Sequence, residues 1–164
     1  MRLNESVVIS APPKLIWDYV ADPANVLHYM SGVTRWEVRG ERRIGLGARY
    51  RVLFRVGAVE TGGLVEVVEF DEPRDMAWSS VTGLDQRGRW RLRELDDGRT
   101  KVEFRLAYGV AGAGIAGWLS EWIAAPTMGS HVRRSLHQLK RQVEHEKLRA
   151  EAARRREAAT STAV

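Results

Sequence analysis

Cysteine does not occur among the 164 residues of the chain. Its absence excludes a disulfide framework, a thiolate nucleophile and a cysteine-ligated zinc site. A reducing compartment suits such a sequence, and we expect a cytoplasmic protein. The chain also has no run of about 18 consecutive apolar residues, the length that a membrane-spanning helix needs. Its start, MRLNESVVIS, lacks the apolar stretch of a signal peptide.

Motifs for metals, phosphates and nucleophilic catalysis are missing as well. No histidines and carboxylates stand at metal-ligand spacing, and there is no GxSxG sequence and no phosphate-cradling glycine loop. The glycine run GVAGAGIAG, at 109–117, lacks the following acidic partner of a dinucleotide site. It is more typical of a flexible entrance to the next helix, which could gate a cavity. We therefore expect neither a metal ion nor an organic cofactor.

The charge balance is basic but mixed. Lysine and arginine number 26 and aspartate and glutamate 21, for a net charge of +5. Because the two signs are interleaved along the chain, this excess permits an acidic partner without indicating one. With 44% hydrophobic residues, the length suffices for one domain with a real core. We predict a single domain over 1–146, followed by a charged helical extension and frayed tail over 147–164.

Two periodicities divide the chain. LNESVVIS predicts a short strand, APPKLIWDYVADP predicts a helix that prolines start and end, and ADPANVLHYM predicts a second short helix. From TRWEVRG to TKVEFRLAYG, apolar and polar residues mostly alternate, and turn signals recur at intervals of about ten residues. This pattern predicts a meandering antiparallel sheet, with its clearest hairpin at Asp97-Gly98.

The alternation also assigns the two faces of the sheet, because successive side chains of a strand point to opposite sides. The apolar side is predicted to carry Tyr50, Val52, Phe54, Trp90, Leu92, Val102, Phe104, Leu106 and Tyr108. The alternate positions are mainly basic, as at Arg49, Arg51 and Arg55. One face of the sheet is therefore aromatic and apolar, and something must cover it.

The segment from about Ile115 onward is the long amphipathic helix available to cover that face. On a helical wheel, a narrow apolar stripe contains Val132, Leu136, Leu139 and Val143. Extended backwards without a break, the stripe contains Trp118, Glu121, Ala125 and Met128, with Trp122 and Gly129 at its flank. Pro126 weakens this extension, because a proline inside a helix removes a hydrogen bond and usually kinks the helix.

These segments together resemble a known superfamily. The start APPKLIWDYVADP, the turn region VVEFDEPRDMAW, the hairpin GRWRLRELDDGRTKVEF and the final LHQLKRQVE are similar to the helix-grip START, birch-pollen-allergen and polyketide cyclase/dehydrase superfamily (SRPBCC), in its polyketide cyclase and coenzyme Q-binding branch. The resemblance implies an α+β fold with a curved antiparallel sheet of about seven strands wrapped around a long C-terminal helix. It also implies two short helices between the first two strands, and a hydrophobic cavity between sheet and final helix.

The fold that this resemblance implies serves lipid carriers, coenzyme Q binding, polyketide aromatisation and ligand sequestration. We predict a protein that binds a hydrophobic small molecule, such as a lipid, polyketide or quinone, because aromatic linings with few polar groups suit such ligands. The predicted ligand-binding residues are Tyr50, Val52, Phe54, Trp90, Leu92, Phe104, Leu106, Tyr108, Trp118, Trp122 and Met128. Tyr50, Tyr108 or Glu121 would orient a polar end of the ligand.

The alternative function is a cyclase/dehydratase-type enzyme, in which Glu121 or His131 acts as acid or base on a polyketide-like substrate. Burial beside Trp118 and Trp122 would raise the pKa of Glu121 toward the range that a catalyst needs near neutral pH. If Pro126 turns the helix, Glu121 is instead a rim residue or an exposed one.

The remaining candidates are more typical of a solvated surface. His28 and Glu66 are possible acid-base groups, and surface positions suit both better. The arginine-rich outer face suits a solvated surface that blocks sheet aggregation. Transient docking of a membrane or an acidic protein on that face is the alternative, with a collapsed cavity and salt-sensitive binding. No nucleic-acid partner is expected, because the aromatics that might stack on bases lie on the opposite face. The sequence carries no signal for an oligomeric state.

Overall fold

The structure is a computed structural model that describes the backbone of residues 2–56, 58–109 and 114–162, with the side chains of 56, 114–127 and 161–162 outside the description. In chain order its elements are β1 (Arg2–Ile9), α1 (Pro13–Ala21), α2 (Val26–Tyr29), β2 (Val33–Arg39), β3 (Arg49–Val56), β4 (Val59–Asp71), β5 (Asp75–Gly83), β6 (Asp85–Glu94), β7 (Thr100–Gly109) and α3 (Gly114–Thr162).

Within the described residues, seven strands form one antiparallel sheet in the order β1-β7-β6-β5-β4-β3-β2. Strands β2 to β7 follow one another as a meander. Strand β1 pairs with β7, so β1 and β2 are the two edge strands of the sheet. Register shifts in the β4–β5 ladder mark bulges, which bend a strand and increase its twist. The predicted α+β helix-grip fold, with a curved sheet, two short early helices and a long final helix, is confirmed.

The hairpin between β6 and β7 lies where the sequence predicts it. Gly98 has a φ of +76°, in the left-handed region that glycine adopts without strain. The Leu95 amide donates to the Arg99 carbonyl at 2.8 Å, and the Gly98 amide donates to the Leu95 carbonyl at 2.9 Å. The turn sets the β6–β7 register, which places Trp90 opposite Phe104 on the inner face.

Helix α3 is held on the inner face of the sheet by its apolar stripe. Val132, Leu136, Leu139 and Val143 are each 3% exposed or less, as the wheel predicts. Burying such side chains contributes about 1.5–3 kcal/mol each by area. The helix is also tied to the chain after β1, because Lys147 Nζ donates to the Ser10 carbonyl at 2.8 Å.

The last part of α3 lies beyond the core. Among the residues whose burial the structure describes, Val143 is the last buried one, and Leu148 is 63% exposed. Ion pairs one turn apart, such as Lys147 with Glu151 at 4.0 Å, run along this exposed part. Such pairs stabilise a helix by only a few tenths of a kcal/mol. The sequence from 147 onward therefore forms a helical extension as far as Thr162, and its side chains are mostly exposed up to Thr160.

Candidate functional site

A cavity of about 50 Å³ lies between the inner face of the sheet and α3. Three parts of the chain supply its walls: the sheet, the turn after α2, and α3. Those on the sheet are Val33, Trp36, Val52, Phe54, Arg55, Trp78, Gln86, Phe104, Leu106 and Tyr108, those on the turn are Met30, Ser31 and Gly32, and those on α3 are Met128, His131, Val132 and Ser135. The lining is predominantly apolar, and its polar residues lie on all three parts: Arg55, Gln86 and Tyr108 on the sheet, Ser31 on the turn, and His131 and Ser135 on α3. The alternation predicted Arg55 on the outer face, but the residue borders the cavity and is exposed.

Aromatic rings form a continuous row along the inner face, from the cavity into the core. The ring centroids of Trp36 and Trp78 are 6.0 Å apart in a T-shaped arrangement. Trp78 and Phe104 stack at 5.9 Å, and Phe104 stacks on Trp90 at 4.2 Å. Ring pairs in these geometries contribute about 0.5–1.5 kcal/mol beyond their burial. The sheet side of the cavity is thus a rigid aromatic wall.

A small hydrogen-bonded cluster joins the turn after α2 to α3. The Ser31 amide donates to Ser135 Oγ at 2.8 Å, and Ser135 Oγ donates to the His131 carbonyl at 2.8 Å. Ser31 Oγ and His131 Nδ1 share a further hydrogen bond of 2.8 Å. Gly32 has a φ of +83°, and a Cβ added there would come within 3.0 Å of His131 Nδ1. The cluster therefore fixes the imidazole against the turn.

The pKa of His131 is lowered from its ordinary value of 6.5, first by burial and then by the positive charge of Arg134. The imidazole is consequently neutral near pH 7. A neutral imidazole has one nitrogen that accepts a proton, and this nitrogen is the chemical requirement for a general base.

This shift predicts a pH dependence of stability. Because the pKa of His131 is lower in the folded chain, the unfolded chain takes up the proton first as the pH falls below 6.5. His131→Asn should therefore gain stability relative to wild type below pH 6.5, and not above it. Denaturant unfolding of both proteins between pH 5 and 8 measures the difference. His137→Asn, at an exposed position of the same helix, is the control. A constant difference across the range would contradict the prediction.

The structure brings seven of the predicted site residues together in the cavity lining. They are Val52, Phe54, Phe104, Leu106, Tyr108, Met128 and His131. The side chains of Trp118, Glu121 and Trp122, the orientation of Glu121 around Pro126, and the glycine run at 110–113 lie outside the described residues.

The other three predicted residues lie elsewhere. Tyr50 and Trp90 border a separate gap of about 20 Å³ beneath α1 and α2. The Tyr50 hydroxyl donates to the Arg43 carbonyl at 2.7 Å, and burial raises the pKa of Tyr50 to about 12. Its hydroxyl therefore supports the loop before β3. Leu92 is 3% exposed in the core and is outside the cavity lining.

Several lining residues were missed by sequence reasoning. Trp36, Trp78 and Gln86 follow the alternation of their strands, which was a usable signal for all three. Gln86 in particular stands two residues before Gly88 and four before Trp90 on the inner side of β6. A glutamine in that series is a polar group on an apolar face. Met30 and its neighbours in the turn gave no periodic signal.

The outer face of the sheet neutralises much of its own charge. Arg49 Nε and Glu66 Oε2 are 2.6 Å apart, which places Glu66 on the outer surface. Arg91 and Arg89 contact Asp75 at 2.9 and 3.3 Å. Burial opposes ionisation of Asp75, but its hydrogen bonds and charge interactions with these two arginines outweigh burial and lower its pKa. At these positions, the arginines of the outer face are paired with carboxylates.

The described part of the chain offers neither a metal-binding cluster nor a membrane-spanning helix. No group of three or more histidines and carboxylates there could hold a metal ion. No helix of the described residues is long and apolar enough to cross a bilayer. His28 is exposed on α2, away from the cavity lining.

Solved structures with the same fold extend over most of the chain. A crystal structure of TTHA0849 from Thermus thermophilus has a TM-score of 0.74 and 22% identity, covering 87% of this chain and 97% of that one. The Zhui aromatase/cyclase from Streptomyces sp. R1128 has a TM-score of 0.72 and 19% identity, covering 88% and 93%. The di-domain aromatase/cyclase StfQ of the steffimycin biosynthetic pathway has a TM-score of 0.64 and 16% identity, covering 90% of this chain and 46% of its own.

These similarities show the fold. No curated protein matches the sequence significantly. The family described as polyketide cyclase / dehydrase and lipid transport matches residues 1–144, which span every strand and the packed part of α3. The chain therefore belongs to the polyketide cyclase / dehydrase and lipid transport family.

Proposed function

We propose that this protein binds a hydrophobic, ring-containing small molecule in the cavity between the sheet and α3. The observation that carries the proposal is the lining itself: aromatic rings such as Trp78 and Phe104 on one side, and Met128 and Val132 of α3 on the other. Apolar and aromatic side chains outnumber the polar ones in this lining. Pockets of this composition suit apolar ligands that need one or two oriented polar contacts.

The size of the cavity constrains how such a ligand enters. Its 50 Å³ is small beside the roughly 300–1,000 Å³ typical of ligand pockets. A ring-sized ligand must therefore displace part of the wall. Met30 of the turn and Met128 of α3 are the adaptable parts of that wall, because an unbranched thioether side chain repacks at little cost. The row of aromatic rings supplies the fixed side.

Native mass spectrometry of the protein purified from the organism that encodes it tests the proposal. We expect a population heavier than the polypeptide by one small molecule, which organic extraction then recovers. Leu106→Trp fills the cavity and should abolish this population, because Leu106 lines it. Leu53→Trp makes the same change at a half-buried position on the outer face of β3, and this variant should retain the ligand-bound population. Bare protein in every sample would overturn the proposal.

An enzymatic function is the second candidate, favoured by the neutral His131 at the cavity wall. In a cyclase/dehydratase-type reaction, its imidazole would remove a proton from a bound polyketide-like substrate. His131→Asn should then retain binding in the same mass spectrometry assay but lose turnover of the recovered compound. Equal turnover by both proteins would exclude His131 as the base, and no turnover by wild type would leave the carrier function.

A docking role for the outer face is less well supported, although the small cavity is what that role predicts. The ion pairs of Arg49, Arg89 and Arg91 with neighbouring carboxylates reduce the charge available to an acidic partner or membrane.

A further inference from the structure

Two buried hydrogen-bond donors of the cavity lining have no partner among the described residues. They are the indole Nε1 of Trp36 and the amide Nε2 of Gln86. Gln86 is 5% exposed, and both nitrogen atoms are inaccessible to solvent. Buried polar groups in folded proteins almost always have a partner, because an unpaired buried donor has lost its hydrogen bonds to water without replacement. Donors in this state are available to a bound group or to water.

Neither Trp36 nor Gln86 has a packing role that requires its side-chain hydrogen-bond donor. Trp36 contributes its ring to the aromatic row through Trp78, and phenylalanine would serve there too. Gln86 occupies an inner position of β6 where neighbouring inner positions are glycine and tryptophan. Its backbone amide donates to Ser80 Oγ at 3.2 Å, so the strand is already anchored without the side chain. Leucine would fill that position equally well.

Trp36 fixes the chemistry of the missing partner, because an indole nitrogen donates a hydrogen bond and cannot accept one. The atom that faces it must be an acceptor. Strands β3, β4 and β5 separate β2, which carries Trp36, from β6, which carries Gln86. Both residues line the cavity, Trp36 from β2 and Gln86 from β6. An acceptor oxygen of a molecule bound in the cavity would pair with one of these donors.

We infer that Trp36 and Gln86 are the specificity-determining residues of this cavity, and that they select an aromatic ligand with a carbonyl-type acceptor oxygen over a purely hydrocarbon one. The inference rests on the proposed binding function and narrows its ligand class. It favours an aromatic ketone or quinone over an aliphatic lipid tail, since a hydrocarbon in this space leaves both donors unpaired.

Calorimetric titration with two matched probes tests the inference. The probes are 2-acetylnaphthalene and 2-ethylnaphthalene, which share a ring system and side-chain length and differ in one carbonyl oxygen. Wild type should bind the ketone about tenfold more tightly than the hydrocarbon. Gln86→Leu and Trp36→Phe each replace a donor with an apolar side chain, and at least one of them should lower the ratio of ketone affinity to hydrocarbon affinity about three- to tenfold.

The control variant is Gln142→Leu, the same change at an exposed position of α3, which should leave both affinities unchanged. Equal affinity of wild type for the two probes would overturn the inference while leaving the binding function intact, since the donors would then be served by water. Binding of neither probe would count against the proposed function itself, and the inference would fall with it. An unchanged affinity ratio in both donor variants would also overturn the assignment of Trp36 and Gln86.

Discussion

Trp90→Ala should lower the free energy of unfolding by about 3–5 kcal/mol, the range for removing a buried tryptophan from a packed core. Trp90 is 2% exposed and stacks on Phe104 with 4.2 Å between ring centroids. It also meets Tyr29 of α2 edge-on at 6.0 Å. The ring therefore joins the sheet to the short helices, and alanine would leave a void that neither layer can close.

Chemical denaturation of wild type and Trp90→Ala, followed by circular dichroism, measures this loss. The control is Val68→Ala on the outer face, where the side chain is 53% exposed and the change should stay within about 0.5 kcal/mol. Since the loss could approach the whole stability of a small domain, a milder Trp90→Phe should show a smaller decrease in the same direction. A loss below about 1 kcal/mol for Trp90→Ala would show that the stack relaxes to fill the space.

Most of the architecture could be predicted from local patterns. Alternation in β3, β6 and β7 assigned the correct residues to the inner face, because a strand with one buried side must repeat every second residue. The Leu136 and Leu139 stripe of α3 was equally clear, because a helix on a sheet needs an apolar stripe at helical spacing. These signals are local, because each depends only on the residues of one strand or one helix.

The cavity was harder to predict, because its wall is assembled from segments that are distant in sequence. The turn Met30–Val33 joins the lining through the hydrogen bonds that Ser31 shares with His131 and Ser135, about a hundred residues away in the chain. No periodicity encodes such a contact. Tyr50 shows the opposite error: its position on the inner face was right, but its hydroxyl is used by the Arg43 carbonyl and is not directed to a ligand.

Gly88 links the structure of strand β6 to the shape of the cavity wall, because its lack of a side chain makes room for a lining residue. It pairs with Trp78 across the β5–β6 ladder, and the Trp78 ring lies over the space where a side chain would be. A Cβ at this position would overlap three atoms of the indole ring. The absence of a side chain therefore seats the tryptophan that forms part of the cavity lining.

Gly88→Ala should consequently destabilise the protein by about 1–3 kcal/mol through overpacking, and should also change the cavity, because the displaced Trp78 ring is itself a wall. Adding Trp78→Leu makes room for the new methyl group, so the double variant should lose less stability than the sum of the two single losses.

Gly129→Ala is the matched control: an added Cβ on α3 would come no closer than 4.0 Å to Leu3, and alanine favours the helix by up to about 1 kcal/mol. Denaturant unfolding of the four variants and wild type measures the cycle. Strict additivity would mean that the sheet, and not the Trp78 ring, absorbs the added group, and the cavity wall would then be set by the backbone of β5 and β6.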